Sequence, residues 1–457
     1  MWFVSMRLKH IAFALLVATA LTGCNDTLDS AKIDLSTVKN KKEQPLPSSI
    51  VAEMQKRNMP RQSPIMIRIL KEEGKLEIWK AKADNRFDVI KSYDICAWSG
   101  KLGPKVKEGD RQAPEGFYSL TPAHLNPNSQ YYLAINTGFP NRYDAANGRS
   151  GTNLMIHGAC SSSGCYSMTD EQVLEIYAFA RDAFKGGQTS IQLQALPFRM
   201  SAENMVRHRD NQNYDFWKMI KTGYDNFEVT KRPPEVNVCE KKYVFNQQTD
   251  SNGKFAPAAA CPTMSTPPTL VSALSSYSKT YELAYQKAMD KYDGKVWYEP
   301  TEAERKAVVA GKRKGRELAY APTGTSLEAG KLLSQSEFKQ MMEKRMASGG
   351  EKPATTVLAS AGPTSARTAS INERMMVKQD RLPATTTGSI ANTQLRGAQT
   401  ASVPSAPAPQ AATPTVQTAQ GTTVAVPVPE QNPLAYTATQ PVTETAKKPA
   451  WKFWSKD

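Results

Sequence analysis

The run Ile156-His157-Gly158-Ala159-Cys160-Ser161-Ser162-Ser163-Gly164-Cys165-Tyr166 decides how this chain is read. It sets a histidine and a cysteine eight positions apart in a stretch of small residues. Cysteine chemistry runs through the thiolate, which needs a base to form and a backbone that leaves it reachable. Glycine tolerates the tight turns that expose such a group, and Gly164 immediately precedes Cys165. The chain has four histidines, and one of them lies here. Cys165 is therefore the candidate nucleophile and His157 the candidate base. Cys160 competes from three residues beyond His157, but it lacks a preceding glycine. It reads as a bystander thiol, with a redox partner for Cys165 as the other possibility.

Outward from this run the pattern is strand-like. Ile65–Leu70 and Leu76–Trp79, separated by Glu73-Gly74, predict a hairpin. Phe87–Tyr93, Gly116–Leu120, Tyr131–Ile135 and Asn153–His157 predict further strands, with a loop over 100–114. After the cysteine loop comes a helix. Thr169 with Gln172 makes a capping box, Val173, Tyr177, Ala180 and Phe184 recur at helical spacing, and Gly186-Gly187 ends it. That stripe reads as core. Thr189–Leu196 is another strand. The fold class is mainly β with α, the catalytic domain covering 63–200. A folded appendage over 201–265 begins at Ser201 and carries an apolar cluster at Phe216, Trp217, Met219 and Ile220, ending at Gly223. Residues 266–350 are charged and helix-prone. His124 reads as a loop histidine, and His208 as a histidine of a polar helix with no chemical role.

The chain's ends are of another kind. Arg7, Lys9 and His10 precede an apolar run from Ile11 to Leu21, as in a signal peptide over 1–24. The run closes in Leu21-Thr22-Gly23-Cys24, which resembles a lipobox and makes Cys24 a lipidation site. Asn25 replaces the aspartate that holds lipoproteins at the inner membrane of enteric bacteria. The expectation is a periplasmic protein, lipid-anchored to the outer membrane of a Gram-negative bacterium. Residues 25–62 read as a linker. From 351 to 457 the chain is rich in Ala, Thr and Pro, too poor in apolar residues to offset ordering entropy, so a disordered tail is expected. The formal net charge is +15. For an exported protein this points to anionic wall polymer or lipid headgroups and away from nucleic acid. Much of the excess falls in Lys306–Arg316, with Lys312, Arg313 and Lys314 in a row, read as a solvated basic helix.

Export also bears on the cysteines. With Cys24 acylated, five remain, so an oxidising compartment leaves at least one free thiol. Cys239 and Cys261 flank a loop and are in position to bridge. No residue cluster has metal-ligand spacing and no glycine loop is of the phosphate-binding kind, so neither metal nor cofactor is expected.

The run His157-Gly158…Ser163-Gly164-Cys165-Tyr166 resembles the active-site motif of the L,D-transpeptidases, the YkuD-type catalytic domain. Trp98–Pro104, Glu108-Gly109-Asp110-Arg111, Pro114–Tyr118 and Asn126-Pro127-Asn128-Ser129 resemble its YafK-like, murein-directed subgroup. The likeness covers about residues 63–245. Many family members carry a histidine before the Gly-Cys pair and an arginine two residues after the cysteine. Here those positions are Ser163 and Ser167. The first leaves His157 as the only nearby base. The second leaves a substrate carboxylate without its usual partner, for which Arg111 and Arg149 are candidates. Tyr118 and Tyr166 are further candidates for substrate contact.

The resemblance implies a peptidoglycan L,D-transpeptidase. Cys165 would attack the carbonyl at the L-centre of meso-diaminopimelate in a stem peptide. His157 would move the proton, and backbone N–H groups at Gly164 and Cys165 would hold the oxyanion, in a loop that also contains Gly158 and Ser163. The acceptor stays open: an amine of another stem peptide, an amine of a wall-linked outer-membrane protein or lipoprotein, or water, as in subgroup members that release wall-bound lipoprotein. A reading from another class is a non-catalytic lipoprotein tethering envelope to wall.

Overall fold

The computed structural model describes residues 33–250, 253–312 and 323–347. The proposed signal peptide, Cys24, the tail and residues 313–316 of the basic run lie outside them. Two five-stranded sheets form the catalytic domain. Its strands are β1 (Ile65–Leu70), β2 (Lys75–Ala81), β3 (Phe87–Asp94), β4 (Ala97–Trp98), β5 (Gly116–Leu120), β6 (Leu125–Asn126), β7 (Ala134–Asn136), β8 (Met155–His157), β9 (Tyr166–Ser167) and β10 (Ile191–Leu196). One sheet has the order β3-β2-β1-β10-β5, with β1 and β10 parallel. The other runs β4-β9-β8-β7-β6, with β8 and β9 parallel.

The helices are α1 (Ser48–Lys56), α2 (Arg142–Ala146), α3 (Asp170–Lys185), α4 (Ala202–Arg207), α5 (Tyr214–Thr230), α6 (Pro268–Lys291) and α7 (Glu302–Lys312). Helix α3 starts at the expected Thr169 capping box. It touches β1 of the first sheet and β7 and β8 of the second, and so joins them. Ile67, Ile69, Leu193, Ile156, Tyr166, Val173, Ile176 and Phe179 meet in one buried cluster. Strand β1 is buried on both faces, because α5 covers the other side. There Arg68 lies under Trp79, Tyr224 and Phe227 and pairs with Glu228 at 2.8 Å.

Several expectations shift. The linker over 25–62 contains α1, whose Ile50 and Met54 are buried, and a strap before it. Arg181 of α3 donates to the carbonyls of Lys42 and Gln44, which binds that strap to the domain. The strand expected at Tyr131–Ile135 is confined to Ala134–Asn136, because Tyr132 takes a left-handed φ of 68°. Asn153, at φ 56°, likewise lies outside β8. Gly223 does not end α5. It sits inside the helix, where an added Cβ would come within 2.4 Å of Phe245 and 2.5 Å of Phe117. The absent side chain lets the helix lie close on those rings.

His208 is buried just past α4, stacked on Phe198 and bonded to Glu72 at 2.9 Å. Its role is structural, but in the core and not on a polar surface. Beyond α5, the charged segment contains more than helices. The strand Lys295–Tyr298 pairs antiparallel with Lys331–Ser334, and α7 lies between them in sequence.

Candidate active site

Strands β8 and β9 set the geometry. Their parallel register pairs His157 with Ser167 and Ile156 with Tyr166. Cys165 immediately precedes β9, and His157 closes the neighbouring β8, so the register brings the two chain segments side by side. The Cys165 thiol accepts from the Met155 N–H at 3.4 Å and donates to the Asn153 carbonyl at 3.6 Å. Its resting partners are thus backbone groups beside β8. Burial pushes this thiol up; the Met155 N–H and the charge of Lys105 work against the rise.

His157 is 3% exposed, with Nδ1 2.6 Å from the Gly158 carbonyl oxygen. A carbonyl only accepts, so Nδ1 carries the hydrogen and Nε2 keeps its lone pair. Burial holds the imidazole below the usual histidine range, opposed by that carbonyl and by the charge of Asp170. The Tyr131 ring lies 4.7 Å from the imidazole, centroid to centroid. Burial thus disfavours the charged form of both groups.

The loop between them is shaped by close approach. At Gly158 a Cβ would fall 2.3 Å from Asp170 Oδ1 and 2.9 Å from the Tyr131 carbonyl. Ala159 and Cys160 both take left-handed φ, 61° and 42°, which costs of order 1 kcal/mol or more each for residues with a Cβ. The Ala159 N–H donates to Asp170 Oδ1 at 2.8 Å, and the Cys160 N–H to the Met168 carbonyl at 3.1 Å. Cys160 is no bystander thiol. The turn carries it to Cys96, next to β4, and the two form a disulfide with Cα atoms 5.3 Å apart. Cys239 and Cys261 also bridge. Cys165 is left as the free cysteine among the described residues.

The remaining loop residues are brought to the thiol. Gly164 has φ 123°, and its N–H donates to Ser162 Oγ at a long 3.4 Å. Ser162 Oγ in turn donates to the Cys165 carbonyl at 2.7 Å. Ser163 is exposed and receives Arg111 Nη1 at 3.3 Å.

The four candidates for substrate contact divide sharply. Tyr166 is fully buried with its hydroxyl on the Pro114 carbonyl, and Tyr118 is buried with its hydroxyl on that of Glu115. Arg149 pairs with Asp144 at 2.9 Å and lies over the rings of Tyr143 and Phe216. Arg111 alone of the four presents an exposed group to the nucleophile loop. His124 folds onto its own turn, with Nδ1 accepting the Thr121 N–H.

Sequence reasoning missed Asp170, which caps the turn after His157, and Ser167, whose hydroxyl donates to the Gly158 carbonyl at 3.2 Å. Asp170 had a faint signal, standing one residue after the helix N-cap; Ser167 was marked only as the place of the family's arginine, with nothing to show its bond to the Gly158 carbonyl.

Two mixed sheets whose adjoining strands β8 and β9 carry a buried, carbonyl-oriented imidazole and lead from a free cysteine fit an L,D-transpeptidase catalytic domain. The chain belongs to that family, whose YkuD domain matches residues 67–190. It is 48% identical over 185 residues to the putative L,D-transpeptidase YafK of Escherichia coli K12, across 40% of this chain and 75% of that protein. The same figures hold for YafK of Escherichia coli O157:H7. Solved structures with some likeness include the helical cell shape determining protein Pgp2 of Campylobacter jejuni, 18% identical, with 40% of this chain and 66% of that one covered at a TM-score of 0.25. Bd1075 of Bdellovibrio bacteriovorus is 21% identical, with 37% and 61% covered at a TM-score of 0.21. The protein is an L,D-transpeptidase enzyme of peptidoglycan.

Proposed function

We propose that Cys165 and His157 carry the reaction. His157 Nε2 takes the thiol proton as Sγ attacks the carbonyl at the L-centre of meso-diaminopimelate. The backbone N–H groups of Gly164 and Cys165 hold the oxyanion. The C–N bond to the terminal D-residue breaks, and the imidazolium returns its proton to the leaving amine. An incoming amine then attacks the thioester, the imidazole takes its proton, and the thiol is restored. A second stem peptide as acceptor gives a 3-3 crosslink. An envelope protein as acceptor gives a wall anchor. Water in the same place would make the enzyme an amidase that releases wall-linked lipoprotein.

One observation supports this reading above all: the free cysteine immediately precedes β9, which pairs with the strand ending in an imidazole whose Nδ1 is already committed. Export and lipid anchoring through Cys24 place the site against the wall. The two disulfides support an oxidising compartment.

The deciding experiment incubates sacculi with purified residues 25–457 and resolves the muropeptides by mass spectrometry. New 3-3 dimers, protein-linked muropeptides or released lipoprotein identify the acceptor. Unchanged products from Cys165→Ala relative to wild type would refute the assignment.

A further inference from the structure

Helix α7 lies outside the stretch that matches the family, yet it is built into the wall of the site. Arg305 of α7 lies 3.5 Å from the Trp98 ring centroid and donates to the Gly100 carbonyl at 2.8 Å. Just before the helix, Glu299 accepts the Leu102 N–H at 2.6 Å. Thr323, beyond the helix, donates its N–H to the Cys96 carbonyl and accepts the Trp98 N–H on its hydroxyl, both at 3.1 Å. These contacts all fall on β4 and the residues flanking it. Strand β4 pairs with β9, directly after Cys165, through Trp98 and Tyr166.

The first residue of α7 continues inward. Glu302 Oε2 accepts the Gly100 N–H at 3.1 Å, and Oε1 stands 3.6 Å from Arg111 Nη2 and 2.7 Å from Lys306 Nζ. Arg111 itself is fixed by its backbone. It has a left-handed φ of 54°, its carbonyl accepts Ser99 Oγ at 2.7 Å, and it packs beneath Gly164. Its guanidinium bridges from Glu302 to Ser163, while its side chain stays 55% exposed. A planar fork on Ser163 of the cysteine loop, with one loose acidic partner and open donors, fits a carboxylate. Glu302 has two further partners to fall back on when Arg111 turns to another anion.

We propose that Arg111 binds a free carboxylate of the stem peptide next to the scissile carbonyl, and that Glu302 is its resident counter-ion, holding the guanidinium at Ser163 until substrate replaces it. Glu302 is thus a specificity-determining residue supplied from outside the family domain. This rests on the Cys165 reaction proposed above.

Binding separates the two proposals. Calorimetry on the full chain carrying Cys165→Ala reads a diaminopimelate tetrapeptide against forms amidated at one carboxylate each. One amidated form is expected to bind about tenfold more weakly, the scale of one charge-assisted contact. Adding Arg111→Gln abolishes that preference, and Arg111→Lys restores only part of it. Adding Glu302→Gln, which keeps an acceptor for the Gly100 N–H, tightens the free-carboxylate peptide several-fold and leaves its amidated counterpart unchanged. Equal affinity for all forms, or a preference that survives Arg111→Gln, overturns the proposal. So does a Glu302→Gln variant of unaltered affinity. Absence of Cys165-dependent turnover in the parent enzyme counts instead against the reaction, since the binding readout does not depend on it.

Discussion

His157 and Ser167 share one acceptor: the Gly158 carbonyl takes Nδ1–H of the first at 2.6 Å and the hydroxyl of the second at 3.2 Å. Ser167 stands where many relatives place an arginine, and here it is fully buried. Its hydroxyl supports the carbonyl that orients the His157 ring.

Ser167→Ala should therefore act through the imidazole. Losing one neutral hydrogen bond is worth about 0.5–1.5 kcal/mol, so kcat should fall by up to about tenfold with KM little changed. Steady-state kinetics on a stem peptide read this split. A rise in KM alone would place Ser167 at the substrate instead.

The resting pair should behave as neutral groups. Burial lowers the His157 pKa and raises that of Cys165. Activity needs the free base and the intact thiol, so it should hold from below the ordinary histidine range up to above the ordinary thiol range. It should drop on the acid side only as pH falls through the lowered His157 value. Alkylation by iodoacetamide, which needs thiolate, should be slow at neutral pH and climb with pH. Fast, pH-independent alkylation near neutrality would contradict this and signal a thiolate–imidazolium pair.

The Cys96–Cys160 disulfide should matter more than an ordinary cross-link. It closes a separation of 64 residues, worth about 4 kcal/mol by chain entropy, and it holds the two left-handed residues after Gly158. Cys160→Ser should lower both melting temperature and turnover. Breaking Cys239–Cys261, with a separation of 22 residues, should lose about 3 kcal/mol and leave kcat nearly unchanged. Calorimetry paired with kinetics tests the contrast.

Gly158→Ala should cost activity before it costs the fold. The new Cβ would lie 2.3 Å from Asp170 Oδ1, driving away the carboxylate that caps the turn. Overpacking of this kind is worth about 1–3 kcal/mol. Turnover should fall by at least about tenfold, since the displaced carbonyl is the one that orients His157. An active, folded Gly158→Ala enzyme would show that this close approach has no functional weight.

Much of the fold was legible locally. The β1–β2 hairpin, β3, β5, β10 and the capped helix α3 stand where alternation and capping put them, because those patterns are physical requirements of each element. Strands bent by left-handed residues were less so: nothing local marks Tyr132 or Asn153 as turning points. Gly223 misled because a glycine that admits two rings looks, in one dimension, like a helix end. Among the candidate substrate residues, Arg111 and Arg149 looked equivalent, and only packing separated them. Asp144 sequesters one, and α7 presents the other.

The amino-acid sequence by itself supplied the candidates for the chemistry and the scaffold: a thiol after glycine, a histidine eight residues before it, and the β-rich pattern that carries them. These are short-range properties, and residue identity and spacing suffice for them. Tertiary structure decided the partners: which cysteine bonds to Cys96, which carbonyl orients His157, and which acid stands by Arg111. Glu302 and Arg111 are far apart in the chain. Hydrogen bonds and ion pairs form within a few ångströms, so only folding could bring the two to the same lip of the site.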